Sequence, residues 1–142
     1  MKQISAHPTK GLAVGTRCFC ADNSGAKEVE IISIYGAKPR KRQHPSCGIA
    51  SLVNVAVKKG TPTTRKKIEK AVIIRVKKEY RRANGMRICF EDNAVVLTDI
   101  KGFPKSSEVK GCVAREVGER FPKIASLSSA VIWVNYCFWF KG

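Results

Sequence analysis

Acidic residues are scarce in this chain. Its 142 residues hold 11 Asp and Glu against 27 Lys and Arg, which leaves a net charge of +16. Self-repulsion on that scale opposes a compact fold unless an anion neutralises it. Nucleic acid, an anionic membrane and an acidic protein are the candidate anions, and a basic domain of this size favours nucleic acid. Histidine is limited to His7 and His44, and none of the six cysteines forms a CxxC pair. A zinc site therefore has no ligand set, and no metal or other cofactor is expected. Long apolar runs are also missing. VIWVNYCFWF, near the C-terminus, is the longest, and it is far short of the ~20 residues a membrane-spanning helix needs. The opening MKQISAHPTKGLAVG has no apolar core of a secretory leader, so cytoplasmic thiols rather than a disulfide framework are expected. Cys18 and Cys20 fall on one face of a strand and read as small packing groups.

No catalytic constellation is legible: no Ser/His/Asp arrangement, carboxylate pair or phosphate-cradling glycine motif. Glu91 and Asp92 are adjacent, so on a strand they face opposite ways. Cys47 lies near His44, but in a proline-rich loop. An enzyme is not expected.

The apolar pattern is mostly of period two. Thr16 to Ala21, Glu28 to Tyr35, Ile49 to Val57 and Val95 to Thr98 read as strands, and VIIRVKKEYRRANGMRICFEDNAVVL (Val72 to Leu97) reads as a hairpin. Asp22-Asn23-Ser24-Gly25 is a turn cluster whose side chains bond locally. Residues 36–45 and 58–70 read as basic connections, and 101–110 as an exposed loop. Residues 114–120 suit a short helix, and Pro122 the first position of another, PKIASLSS. Many short strands followed by a little helix predict a mainly β protein. It is a small five-stranded barrel (about 14–100), a projecting basic hairpin and short C-terminal helices (about 111–130), all in one domain ending in an aromatic extension, 133–142.

The hairpin closes on Asn84-Gly85, which permits the positive φ that tight hairpins need. A three-residue turn, Ala83-Asn84-Gly85, groups Val76, Lys78, Tyr80 and Arg82 on one face with Met86, Ile88 and Phe90. The other face then sets Lys77 opposite Glu91 and Arg81 opposite Arg87. Two guanidiniums directly opposed repel and cannot deprotonate. A phosphate between them would relieve this through forked hydrogen bonds. Residues 36–45, 58–70 and 75–87 together carry 16 of the 27 cations. Tyr80 is the one aromatic amid the hairpin's charges and Tyr35 borders the first loop. That is a weak stacking platform, so phosphate and shape recognition of folded RNA fits better than single-strand binding.

Three blocks carry a family resemblance: ADNSGAKEVEIISI (Ala21 to Ile34), AVIIRVKKEYRRANGMRICFEDNAVVL (Ala71 to Leu97) and GCVAREVGERFPKIASLSS (Gly111 to Ser129). In order and at matching spacing, they resemble the universal large-subunit ribosomal protein L-fourteen family. The VKKGTPTTRKK segment is similar to the archaeal and eukaryotic branch, whose eukaryotic member is called L-twenty-three. The resemblance implies a structural constituent of the large subunit that binds large-subunit rRNA and neighbouring ribosomal proteins. It also implies a bridge to small-subunit rRNA at the subunit interface, docking of an anti-association factor near the C-terminus and, in a eukaryote, nucleolar passage during assembly. Lys27, Lys38, Arg40, Lys41, Arg42, Lys66, Lys67, Lys77, Lys78, Tyr80, Arg81, Arg82 and Arg87 fall on RNA-binding positions. Lys101, Arg115, Arg120 and Lys123 fall in the interface-facing third.

Two departures stand out. The family usually reads Gly-hydrophobic-Gly-Asp where this chain has Gly48-Ile49-Ala50-Ser51, and Gly-Pro where it has Gly111-Cys112. The family pattern also ends near Ile132, whereas this chain continues WVNYCFWFKG. Trp133, Tyr136, Phe138 and Trp139 of that tail read as protein contacts. The tail either packs back on its own barrel or docks against a neighbouring ribosomal protein or RNA crevice. A free-standing small-barrel RNA-binding or RNA-chaperone module is the alternative to a ribosomal component.

Overall fold

A computed structural model describes residues 3–133. In chain order the elements are β1 (Leu12–Ala13), β2 (Arg17–Cys20), β3 (Ala26–Ile34), β4 (Ser46–Cys47), β5 (Leu52–Gly60), β6 (Ile68–Arg75), β7 (Tyr80–Arg81), β8 (Arg87–Ile88), β9 (Ala94–Thr98), β10 (Val109–Ala114), α1 (Arg115–Arg120), α2 (Pro122–Ser126) and β11 (Ser128–Ile132). Strands β2, β3, β5, β6 and β9 close into a barrel. Only the closing pair, β2 with β9, is parallel. The expected five-stranded barrel is therefore present, with short helices after it.

Alternation drives the barrel. Val29 and Ile31 of β3 and Val53, Val55 and Val57 of β5 point inward and are almost wholly buried. Two strands break the alternation. All of β9, and Ala71 to Ile74 of β6, are buried on both faces. A strand buried on both faces needs a second layer outside the sheet. Here Val113, Ala114, Val117 and Ile124, from β10, α1 and α2, join the barrel residues in one apolar cluster.

That C-terminal unit differs from the expectation. PKIASLSS is helical only to Ser126, and Ser128–Ile132 is a strand that pairs in parallel with β10. The supposed loop 101–110 ends in a buried Val109 that opens β10. The third barrel strand begins at Leu52 rather than Ile49, because Ala50 turns the chain with φ of 57°. An L-residue meets steric strain in that region.

Asp22 ties the layers together. Its Oδ1 accepts from the Ser24 amide (3.1 Å) and hydroxyl, and its Oδ2 accepts from the Leu97 amide (2.9 Å). The turn cluster thus bonds locally, as its composition predicts, and also anchors β9. The N-terminal segment straps the outside. The Ser5 amide and hydroxyl donate to Glu119 of α1, His7 pairs with Arg81, and Leu12 pairs with Cys47. Partial burial pushes the Glu119 carboxyl up, but the Ser5 hydrogen bonds together with the Arg115 and Arg82 charges outweigh it and hold the carboxyl below its ordinary value.

Cys18 and Cys47 are buried and Cys20 packs against the core. Burial pushes the Cys18 thiol up to about 11 and those of Cys20 and Cys47 up to about 12. All three stay protonated and unreactive at neutral pH.

Candidate nucleic-acid interface

The ion pairs divide the cations into two populations. On the barrel wall, Arg17 reaches Glu28 (3.3 Å) and Glu30 (3.7 Å), Lys59 reaches Glu28 (2.7 Å) and Lys58 reaches Glu30 (3.5 Å). The Lys59 hydrogen bond holds the Glu28 carboxyl below its ordinary value. Lys105 pairs with Glu69, and Arg115 with Glu119 one helical turn on, at 3.2 Å. These cations already have anions.

The second population has none. Lys38, Arg40, Lys41 and Arg42 in the 36–45 loop, Arg65, Lys66 and Lys67 between β5 and β6, and Lys27, Lys77, Lys78 and Arg81 are all exposed. Their side chains enter none of the ion pairs among the described residues. The local backbone fixes where several of them stand. Loop 61–67 is shorter than the basic connection read from sequence, because β5 runs on to Gly60 and β6 starts at Ile68. Its base is clamped by Lys66 N–H to Val57 carbonyl and Val57 N–H to Lys67 carbonyl, both 3.0 Å. The Thr61 carbonyl accepts from the amides of Thr64 and Arg65, and the Thr61 amide donates to the Gly25 carbonyl. Loop 36–45 carries one internal backbone bond, Gln43 N–H to Arg40 carbonyl at 3.0 Å.

The hairpin keeps the expected register. Arg81 stands opposite Arg87 and Tyr80 opposite Ile88. Gly85 takes φ of 85° in the three-residue turn, which a side chain would strain. The strands of this ribbon are only two residues long, however, and Lys77 does not pair with Glu91. Arg87 also has an acidic neighbour, Glu79, at 3.0 Å. The repulsion between Arg81 and Arg87 is therefore partly relieved within the chain, and no phosphate is needed to explain the ribbon's stability.

Two of the hairpin residues read as RNA-binding point inward instead. Tyr80 and Arg82 are 2% and 7% exposed. Arg82 Nε donates to Glu116 Oε1 (2.6 Å), its Nη2 donates to Oε2 (3.1 Å), and the Tyr80 hydroxyl donates to Oε2 (2.6 Å). Arg82 also donates to the carbonyls of Ile132 and Trp133, each at 2.9 Å. Burial disfavours the guanidinium charge, but the hydrogen bonds and charge of Glu116 outweigh it and hold the Arg82 pKa above its ordinary value. Burial and the Glu116 hydrogen bond push the Tyr80 hydroxyl up. Arg75 is a second inward cation. It forks onto Asp92 (2.7 and 2.9 Å) and donates to the carbonyls of Lys110 and Cys112. A Cβ on Gly111 (φ 80°) would come within 2.9 Å of Arg75 Nη1, so glycine at 111 is what lets the guanidinium in. Arg75 and Arg82 fasten the C-terminal unit to the barrel, and Tyr80 and Arg82 leave the interface.

In the last third, Lys101 is exposed and Lys123 Nζ lies 3.9 Å from the centre of the exposed Phe103 ring. The Arg115 guanidinium lies 5.2 Å from the Trp133 ring, which is 62% exposed. Arg120 turns inward: its Nη1 donates to the Ala50 carbonyl at 2.8 Å, and burial lowers its pKa. Tyr136, Phe138 and Trp139 lie outside the described residues. Glu116, Asp92 and the Ser5–Glu119 strap were not foreseen. The described residues hold no group of three or more His, Cys, Asp or Glu placed to hold a metal, and no helix long and apolar enough to cross a membrane.

A closed five-stranded barrel whose unpaired cations crowd its loops and ribbon defines a small, basic β-barrel protein. The profile of the family described as ribosomal protein L14p/L23e matches residues 11–132, and the chain belongs to that family. It is similar to the large ribosomal subunit protein uL14 of Methanothrix thermoacetophila (49% identical), Methanoregula boonei (48%) and Halorubrum lacusprofundi (46%). Each similarity covers 93% of this chain and all of the relative. The family makes the chain a structural constituent of the large ribosomal subunit rather than an enzyme. It associates with rRNA and other ribosomal proteins in the cytoplasmic ribosome.

Proposed function

We propose that this protein binds large-subunit rRNA through phosphate contacts from Lys38, Arg40, Lys41, Arg42, Lys66, Lys67, Lys77, Lys78, Arg81 and Arg87, with Lys27 at the edge of the same set. One observation carries the reading. The acids neutralise the cations of the barrel wall and the inward arginines, while those of loops 36–45 and 61–67 have no acid partner. Fixed, unpaired cations on a rigid scaffold are suited to positioning a folded polyanion.

The opposite function falls to the C-terminal third. Lys123 stands beside the exposed Phe103 ring and Arg115 beside the exposed Trp133 ring, and Lys101 is exposed. This supports a role at the subunit interface, in a bridge to small-subunit rRNA and as a landing place for an anti-association factor.

The test is binding of the full chain to a large-subunit rRNA transcript across a salt series. Counterion release gives a log–log slope of about −0.7 to −0.9 per phosphate contact, so a steep negative slope is expected, and a flat response overturns the reading. Sedimentation separates the alternative. A ribosomal component stays with large subunits through moderate salt washing, whereas a free RNA-chaperone module is released.

A further inference from the structure

Where β6 begins and the chain leaves β9, the barrel wall carries a recess of about 230 Å³. Its lining includes Ile68, Glu69, Lys70, Asp99, Ile100 and Lys105. Cross-strand partners share one face of a sheet. Asn54, Lys70 and Thr98 are such partners, and Asn54 stands between the inward Val53 and Val55, so the recess opens on the outside of the barrel. Thr98 is wholly buried, so contact with anything outside rests on the more exposed lining.

That lining is apolar at two points. Ile68 and Ile100 are 71% and 68% exposed, the highest values among the large apolar residues described. One exposed aliphatic side chain is ordinary, but two beside one recess form a patch of the kind that marks a contact surface. Both are held in place. Ile68 opens β6, and Ile100 lies in a closed turn in which the Asp99 amide donates to the Phe103 carbonyl and the Gly102 amide to the Asp99 carbonyl, each at 2.9 Å.

The charge of the recess is equally distinct. Both of its cations are engaged: Lys105 pairs with Glu69, and Lys70 Nζ lies 5.6 Å from the centre of the Tyr35 ring. Asp99 is exposed and enters none of the ion pairs among the described residues. Glu69 and Asp99 therefore balance Lys70 and Lys105, in a chain whose net charge is +16. A phosphodiester brought here would meet an unpaired carboxylate and two isoleucines. A small molecule is also a poor fit, since such sites run from about 300 Å³ upward.

We propose that this recess docks a segment of a neighbouring large-subunit protein, one that presents an aliphatic or aromatic side chain beside a Lys or Arg. The apolar side chain seats between Ile68 and Ile100, and the cation pairs with Asp99. Charge complementarity of this kind fixes the register of a contact and rejects wrong partners. No residue used here belongs to the rRNA-binding set, so the inference goes beyond that reading and rests only on the chain's place in the large subunit.

The experiment puts the photocrosslinker benzoylphenylalanine in place of Ile68 in chains assembled into large subunits, and maps the adducts by peptide mass spectrometry. The expected result is a crosslinked peptide of another large-subunit protein, with an apolar residue next to a Lys or Arg. Asp99→Lys lowers the yield several-fold, and Asp99→Asn, which keeps the shape, lowers it in the same direction. Changing the Lys or Arg of the crosslinked peptide to Glu restores the yield with Asp99→Lys, a rescue that a merely structural role for Asp99 would not give. Circular dichroism melting confirms that each variant is folded. Crosslinks to rRNA, to residues 133–142 of the chain itself or to a peptide without that pattern overturn the proposal, as do the absence of any crosslink and a failed rescue. A flat salt response of the free chain on an rRNA transcript overturns the rRNA reading alone, so the two fail separately.

Discussion

Arg82 and Glu116, 34 residues apart in sequence, form a buried forked ion pair with Nε–Oε1 at 2.6 Å and Nη2–Oε2 at 3.1 Å. Tyr80 completes the cluster, and two of the remaining guanidinium hydrogens hold the carbonyls of Ile132 and Trp133. The ribbon, α1 and the end of β11 thus meet at one charge pair. Removing one partner strands the other charge in the core. Glu116→Ala or Arg82→Ala is expected to destabilise by about 3–5 kcal/mol. Replacing both with apolar residues of similar volume is expected to cost much less, because no charge is then left unpaired. Urea unfolding of the singles and the double checks this. Equal losses in all three would mean that the pair's packing, not its charge, matters.

Ala50 sits at φ of 57° with its carbonyl held by Arg120. The left-handed region costs an alanine roughly 1–2 kcal/mol, and glycine avoids that cost while losing some entropy on folding. Ala50→Gly is therefore expected to stabilise the fold by about 0.5–1 kcal/mol, read as a rise in the urea midpoint at constant slope. The Cβ is wholly buried, so any lost packing works against the gain. A fall in the midpoint would show that packing outweighs strain.

The buried thiols predict an alkaline limit. The folded values of about 11 for Cys18 and about 12 for Cys20 and Cys47 lie above the ordinary value of 9.0. The folded state therefore holds these protons more tightly than the unfolded chain. Stability from this source is complete below about pH 9 and declines as pH rises toward 12. Iodoacetamide at pH 8 should leave the buried Cys18 and Cys47 unmodified until denaturant is added. Their rapid labelling in the native protein would contradict the burial.

The barrel was legible because its strands carry β-branched residues at alternate positions, and because Asn84-Gly85 fixes a hairpin register that the structure keeps. The C-terminal sheet was not. SSAVI continues a helical-looking segment with no glycine to end it. Its parallel pairing with VKGCVA depends on a partner reached only through two intervening helices. The inward arginines were read as surface charge for a related reason. Arg75 and Arg82 look like members of a basic cluster until Asp92 and Glu116, 17 and 34 residues away, are brought beside them. Local spacing shows charge density but not which charges the fold consumes.

Loop 36–45 offers the cleanest test of the free cations, since none of Lys38, Arg40, Lys41 and Arg42 supports the fold through an ion pair. Replacing all four with alanine is expected to leave the unfolding midpoint within about 0.5 kcal/mol of wild type. The salt slope of rRNA binding should become shallower by about three. An unchanged slope would remove this loop from the interface.

Lysine acetylation footprinting of isolated large subunits against the free protein tests the central claim most directly. The account predicts that Lys38, Lys41, Lys66, Lys67, Lys77 and Lys78 are modified in the free chain and protected in the subunit, with the change smallest at the acid-paired Lys58, Lys59 and Lys105. Equal modification of the unpaired lysines in both states would contradict it.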